Sequence, residues 1–139
     1  MGSHLERMRS LLDSAAPAVL STSRKDGSVK LSPVWFRHKR DHFEVVITDD
    51  DVKLKHIRRD PRVTLVIFET VPPFRGVIVT DVAEITAEAL DETRRAISSR
   101  YLDDAASAAF TKAREGNGSV VRIPDRSARS WELGGITGT

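Results

Sequence analysis

The chain has 139 residues, 40% of them apolar and 30% charged, which suits one globular domain with its own core. The formal net charge of +2 creates no global field toward nucleic acid or a membrane surface, so we expect any electrostatic function to be local. The chain has no cysteine, which excludes disulfides, thiolate metal sites and cysteine nucleophiles.

The two ends of the chain are expected to lie outside the domain. Residues 1–4 resemble an expression-tag remnant, and GGITGT over 134–139 is typical of a flexible tail, which leaves 5–133 as the domain. No apolar run approaches the roughly 20 residues that a membrane span needs, and the N-terminus lacks a signal-peptide hydrophobic region. We therefore expect a cytoplasmic protein without a membrane partner.

The first half of the chain predicts mostly strands. In chain order we predict a helix ending before Pro17, strands over 18–23, 29–38 and 43–48, a short helix over roughly 52–60, and a buried central strand over 62–68. Asp26-Gly27 predicts a hairpin between the first two strands. Pro33 lacks an N–H, which places its strand at an edge, at a bulge or beside a ligand.

The second half predicts further strands and two helices. They are a loop over 71–74, a strand over 75–86, helices over 87–102 and 103–115, a turn over 116–118, and strands over 119–123 and 128–133. Gly76 indicates close backbone approach, and Asp103 should cap the second helix. About six strands with few helices predict a mainly β fold, an antiparallel barrel or sandwich with peripheral helices.

Neither a nucleophile nor a metal set is evident. The chain lacks a Gly-x-Ser-x-Gly motif, its acidic pairs stand at helix starts, and we expect all four histidines to be exposed surface residues. We therefore assign no catalytic residue and no metal ligand. If the protein is an enzyme, a bound cofactor is expected to carry the chemistry.

The stretch ITDDDVKLKHIRRDPRV, residues 47–63, allows two interpretations. An aspartate at 50 or 51 would cap a solvated helix that packs Leu54 and Ile57 inward. Alternatively, the free N–H groups at the helix start would hold a phosphate, with Lys53 adding a charge.

LSPVWF, residues 31–36, is the second candidate stretch. Trp35 and Phe36 are adjacent, so their side chains point to opposite faces of a strand. Both could be hydrophobic anchors, or one could face a cavity that holds a planar ring.

Together these stretches resemble the pyridoxamine-phosphate-oxidase-like split β-barrel family, which includes FMN-binding proteins and small flavin or deazaflavin oxidoreductases of actinobacteria. The resemblance runs from about residue 11 to about 86, and its most specific segment is Lys53 followed by HIRRDPRV over 56–63. It implies an antiparallel six-stranded split β-barrel. It also implies a homodimer with a cofactor at the subunit interface.

The resemblance also implies a cofactor site. Thr48 and Lys53 correspond to the residues that hold the cofactor phosphate, and residues 32–36 correspond to the strand along which the ring lies. In this family the partner subunit often contributes an aromatic or basic group, a role that Trp131 or Arg129 could fill. The full expected set is Ser32, Pro33, Val34, Trp35, Phe36, Arg37, Thr48, Asp49, Val52, Lys53 and Trp131.

The resemblance implies hydride transfer between the cofactor and a small organic acceptor. Our first choice of cofactor is coenzyme F-420, a deazaflavin with a polyanionic tail, and FMN is the alternative. Further cations for such a tail would be Arg37, Lys55, Arg58, Arg59 and Arg75. Ser32 stands where the true oxidases have a phosphate-binding arginine, so pyridoxal phosphate synthesis is not expected.

Two other functions are compatible with the sequence. A non-catalytic protein on the same barrel could store or sense a flavin, a deazaflavin or haem, since it also needs no catalytic side chains. A nucleic-acid binder using the basic helix is disfavoured by the balanced charge and the few aromatic residues.

Overall fold

Two antiparallel sheets enclose the core of the protein. The computed structural model describes residues 3–133, with side chains from residue 5 onward. The expected tail over 134–139 and the first two residues of the expected tag remnant lie outside the described residues. No helix in this part of the chain combines the length and apolar character that a bilayer crossing requires.

Five helices and nine strands occur in the described residues. The helices are α1 Ser3–Arg7, α2 Arg9–Leu12, α3 Val52–Arg59, α4 Leu90–Ser98 and α5 Asp104–Ala113. The strands are β1 Ala18–Ser23, β2 Val29–Val34, β3 Arg37–Lys39, β4 His42–Ile47, β5 Arg62–Phe68, β6 Gly76–Val82, β7 Glu84–Thr86, β8 Ser119–Pro124 and β9 Arg129–Trp131.

The strands form a five-stranded sheet, β2-β1-β5-β6-β9, and a four-stranded sheet, β3-β4-β8-β7. This confirms the mainly β, antiparallel split-barrel fold. Six strands have six or seven residues and three have only three residues. The additional short strands arise because the predicted strands over 29–38 and 75–86 each break and continue in the other sheet, which closes the barrel corners.

Cross-strand register places the core residues opposite one another. Leu20 pairs with Leu65, which pairs with Val79, and all three are at most 1% exposed. Phe43 and Val121 face them from the four-stranded sheet and are equally buried. Burying this many large apolar side chains stabilises the fold, at about 1.5–3 kcal/mol for each one.

β2 is an edge strand, as Pro33 predicted. Pro33 pairs with Val19 of β1, and the hairpin between these strands turns at Gly27, whose φ is +89°. At the opposite edge of the same sheet, Gly76 pairs with Trp131, and a Cβ at Gly76 would overlap the indole ring. The close approach expected at the Gly76 backbone is present, and the side chain of Trp131 makes it.

The segment that follows β4 is a capped helix. Asp51 accepts the backbone N–H of Lys53 and so caps α3, while Leu54 and Ile57 are buried. The helix ends at Arg59, before Pro61, as expected.

His38 corrects the expectation that all histidines are exposed. Its side chain is 1% exposed, and its Nε2 lies 2.8 Å from the buried carboxylate of Asp125. Arg9 donates to its Nδ1 at 3.0 Å, which requires the ring proton to be on Nε2. Burial lowers the pKa of His38, and Arg9 adds to this effect against the opposing influence of Asp125. The neutral ring therefore joins α2 to the loop after β8.

Candidate functional site

A cavity of about 560 Å³ lies between one end of the β1–β2 hairpin and the helices α4 and α5. Its volume is in the usual range for small-molecule sites. The lining residues are Ala15, Pro17, Ala18, Pro33, Val34, Trp35, Val46, Ile47, Thr48, Asp51, Lys53, Arg94, Ile97, Ser98, Tyr101, Phe110 and Arg114. Apolar and aromatic groups dominate this wall, with a few charged groups among them.

Three aromatic rings form one side of the cavity. The ring of Trp35 stacks on that of Tyr101, with centroids 5.0 Å apart and planes 7° apart, and its centroid lies 5.1 Å from that of Phe110. The Tyr101 hydroxyl donates to the carbonyl of Ala16 at 2.9 Å, which fixes the ring. Neighbouring Phe36 points into the core and is fully buried, so the predicted division between these two aromatic side chains is confirmed.

Helical spacing explains why α4 faces the cavity. Arg94, Ile97, Ser98 and Tyr101 follow the i, i+3, i+4, i+7 pattern of one helix face, continued into the turn after α4. The hydroxyl of Ser98 lies 2.6 Å from that of Ser107, which joins α4 to α5.

The three consecutive aspartates have separate roles. The backbone N–H of Asp49 donates to the Asn117 side chain at 2.9 Å. Asp50 accepts the Thr48 hydroxyl at 3.0 Å, and Asp51 caps α3. Together these contacts order the loop between β4 and α3 at the cavity rim.

Lys53 reaches the cavity but already has an ionic partner. Its side chain is 12% exposed, and its Nζ lies 2.6 Å from Oδ2 of Asp51. Burial alone would raise the pKa of Asp51, but hydrogen bonds from the ammonium and backbone N–H of Lys53 lower it below its usual value.

Two arginines on the opposite side were not singled out from the sequence. Arg94 is 3% exposed and donates to the backbone carbonyls of Arg114 and Asn117. Burial lowers the pKa of Arg94, and the nearby Arg114 charge lowers it further, against the opposing carboxylates of Asp91 and Asp49. The Arg114 guanidinium lies over the Phe110 ring, 3.7 Å from its centroid. In the sequence, each of these arginines stands four positions after an apolar residue. This i, i+4 spacing was the pattern that could have identified them.

The structure brings together part of the predicted site. Pro33, Val34, Trp35, Thr48 and Lys53 all line the cavity.

The other predicted residues do not line it. Ser32 is buried two residues before Val34, and its hydroxyl has no hydrogen-bond partner among the described residues. Asp49 and Val52 are exposed, and Arg37 pairs with Glu44 at 2.5 Å. Trp131 lies at the far edge of the sheet, four strands or about 19 Å from β2.

The additional cations expected for a long anionic tail also lie elsewhere. Arg75 pairs with Glu69, Arg59 donates to the carbonyl of Ser23, and Lys55 and Arg58 are exposed. Among the described residues, no group of three His, Asp or Glu side chains is arranged to hold a metal ion.

Comparison with known proteins places this fold in a family. Residues 5–131 match the family model of pyridoxamine 5'-phosphate oxidase. No curated protein sequence matches significantly.

Several solved structures share the fold. A conserved hypothetical protein from Mycobacterium tuberculosis is 26% identical, with a TM-score of 0.77 over 95% of this chain and 85% of that one. An F-420 reductase is 19% identical, with a TM-score of 0.73 over 87% of this chain and 94% of that one. The haem storage protein HutZ from Vibrio cholerae is 12% identical, with a TM-score of 0.69 over 89% of this chain and 92% of that one.

Proposed function

The chain belongs to the pyridoxamine 5'-phosphate oxidase family, and we propose that it is an oxidoreductase that binds a flavin or deazaflavin in the aromatic cavity. The proposal rests mainly on the parallel stack of the Trp35 and Tyr101 rings, which forms part of the wall of a cavity large enough for a tricyclic ring. Coenzyme F-420 is our first choice, since an F-420 reductase shares the fold, and FMN is the alternative.

The residues present fit such a cofactor. Pro33 and Val34 offer an apolar strand edge for a ring, and Trp35 and Phe110 offer aromatic surface. Cationic side chains line both sides of the cavity, Lys53 on one side and Arg94 with Arg114 on the other. A bound flavin or deazaflavin would supply hydride transfer, while these residues would bind the ring, orient it and exclude water.

Replacing Trp35 with Ala should weaken cofactor binding at least tenfold, because an aromatic wall of the cavity is lost. Fluorescence titration with coenzyme F-420 and with FMN would measure the dissociation constants. Phe74→Ala is the matched control, since Phe74 is an exposed aromatic residue that does not line the cavity. Failure of both cofactors to bind the unmodified protein would refute the proposal.

A non-catalytic binding role is the second candidate. It is favoured by one observation: Asp51, already bonded to Lys53, is the single carboxylate on the cavity wall formed by the described residues. The same wall has no histidine, cysteine or methionine, and the hydroxyl of its one tyrosine, Tyr101, donates to the carbonyl of Ala16, which favours a flavin or deazaflavin over haem. Reduction of quinones or nitro compounds by the reduced cofactor would distinguish an enzyme from a carrier.

We further propose a homodimer formed through the outer face of the five-stranded sheet. Pro33, Val19, Val66 and Ile78 form an apolar row across four strands of this face, and all four side chains are partly or fully exposed. Leu31 is 65% exposed beside this row. Because Pro33 also lines the cavity, a partner on this face would border the cofactor and could contribute Trp131.

Val66→Glu should convert such a dimer to a monomer, since a carboxylate would be buried at the centre of the interface. Sedimentation equilibrium at micromolar concentration would measure the mass, and circular dichroism would verify folding. Lys25→Glu, in the exposed hairpin turn, is the control for added negative charge. A monomeric unmodified protein or a dimeric Val66→Glu variant would contradict the dimer.

A further inference from the structure

Thr48 and Lys53, the expected phosphate-binding residues, are already bound to carboxylates. The Thr48 hydroxyl donates to Asp50 at 3.0 Å. The Lys53 ammonium donates to Asp51 at 2.6 Å, and the Lys53 backbone N–H donates to the other oxygen of Asp51 at 2.9 Å. The Thr48 hydroxyl, the Lys53 ammonium and the Lys53 backbone N–H therefore have acceptors without a ligand.

This side of the cavity also repels an anion. The pKa of Asp51 is lowered because hydrogen bonds from Lys53 outweigh the effect of burial, so its carboxylate is charged at neutral pH. Asp50 and Asp49 stand beside it in the same exposed loop. A phosphate placed at Lys53 would meet at least one carboxylate within a few ångströms, which offsets the attraction of the ammonium.

Arg114 is in the opposite situation. Its side chain lines the cavity, and it forms no ion pair with an acidic side chain among residues 5–133. One of its N–H groups donates to the carbonyl of Phe110 at 3.1 Å, and its planar face rests on the Phe110 ring. A guanidinium has five N–H donors, so several are left for a ligand.

Arg94 strengthens the positive potential at this side. It is almost fully buried and holds the backbone of Arg114 through a 2.8 Å hydrogen bond to its carbonyl. Its nearest carboxylate, that of Asp91, is 3.4 Å away and 45% exposed, and the charge of Asp49 also acts on Arg94. Because Arg114 has no ion pair of its own among residues 5–133, the two neighbouring guanidinium groups favour an anion between them and the cavity.

We infer that Arg114, supported by Arg94, binds the anionic group of the cofactor, in place of Thr48 and Lys53. This inference rests on the proposed flavin or deazaflavin function. It assigns the preference for a phosphorylated cofactor to the end of α5 and not to the start of α3.

FMN and riboflavin test this inference, because they differ by the phosphate alone. In the unmodified protein we expect FMN to bind more tightly than riboflavin. Arg114→Gln should weaken FMN binding about ten- to hundredfold, the usual range for a charge-assisted contact, and leave riboflavin binding within about twofold. Arg114→Lys should restore part of the preference, whereas Lys53→Gln should leave it nearly unchanged.

Lys112→Gln is the matched control, since it removes an exposed cation from the same helix. Thermal denaturation of each variant would separate misfolding from lost binding. An unchanged FMN preference in Arg114→Gln, or its loss in Lys53→Gln, would overturn the inference while leaving the cofactor site intact. If riboflavin, FMN and coenzyme F-420 all fail to bind the unmodified protein, the proposed function itself is wrong.

Discussion

Gly118→Ala is expected to lower the free energy of unfolding by about 3–5 kcal/mol, a large fraction of the stability of a typical domain. Gly118 has φ +120°, a conformation that other residues adopt only with strain. An added Cβ would overlap the backbone carbonyl of Ile47 and press on the Arg94 guanidinium. Because Ile47 and Arg94 both line the cavity, cofactor binding should weaken as well.

Urea denaturation measures this effect, and Gly116→Ala is the matched control in the same turn. Gly116 also has a positive φ, of +74°, but an added Cβ there would meet no atom within 4 Å. Its substitution should therefore cost about 1–2 kcal/mol, for the left-handed conformation alone. Equal losses in the two variants would show that the contact with Ile47 is unimportant.

Glu44→Gln is expected to lower the free energy of unfolding by about 2–3 kcal/mol, because it removes the counter-charge of the partly buried Arg37 guanidinium and one of those of Arg122. Glu44 is 1% exposed and lies 2.5 Å from Arg37 and 3.3 Å from Arg122. The register of the four-stranded sheet aligns Arg37, Glu44, Arg122 and Glu84 in one row of alternating charge. Glu84→Gln, at the exposed end of this row, should cost less than about 0.5 kcal/mol.

The pH dependence of stability provides a second measurement on Glu44. Burial would raise its pKa, but hydrogen bonds and charge from Arg37, with His42 and Arg122, lower it below the usual 4.5. Because the Glu44 carboxyl has a lower pKa in the folded state, its charge stabilises the protein fully above pH 4.5. This stabilisation is lost as the pH falls through the folded-state pKa. The stability difference between the unmodified protein and Glu44→Gln should therefore shrink in acid. A constant difference from pH 7 to pH 3 would contradict this account.

Local sequence rules predicted several features that the structure confirms. Asp26-Gly27 specified the first hairpin, Pro33 an edge strand, and Asp51 with Pro61 the limits of α3. Alternation along an extended chain correctly separated Trp35 from Phe36. Each of these features depends on the backbone preferences of one to four neighbouring residues, which a sequence states directly.

The composition of the candidate site depended on the tertiary structure. The sequence placed the cations of the site in the segment after β4, where Asp50 and Asp51 hold Thr48 and Lys53. The more weakly neutralised cations, Arg94 and Arg114, come from two later helices that fold against the β1–β2 hairpin.

The sequence by itself determined the type and order of most elements, because helix and strand periodicity and turn chemistry act over a few residues. Folding determined which charges meet. His38 pairs with Asp125 across 87 positions, and Glu44 meets Arg122 across 78. Such pairs follow from strand register and from the packing of helices on sheets, and a shift of one residue in register would reverse every side chain. Local sequence patterns span a few residues and do not specify contacts between positions so far apart. The charge row, the buried histidine and the arginine side of the cavity therefore form only when the sheets close.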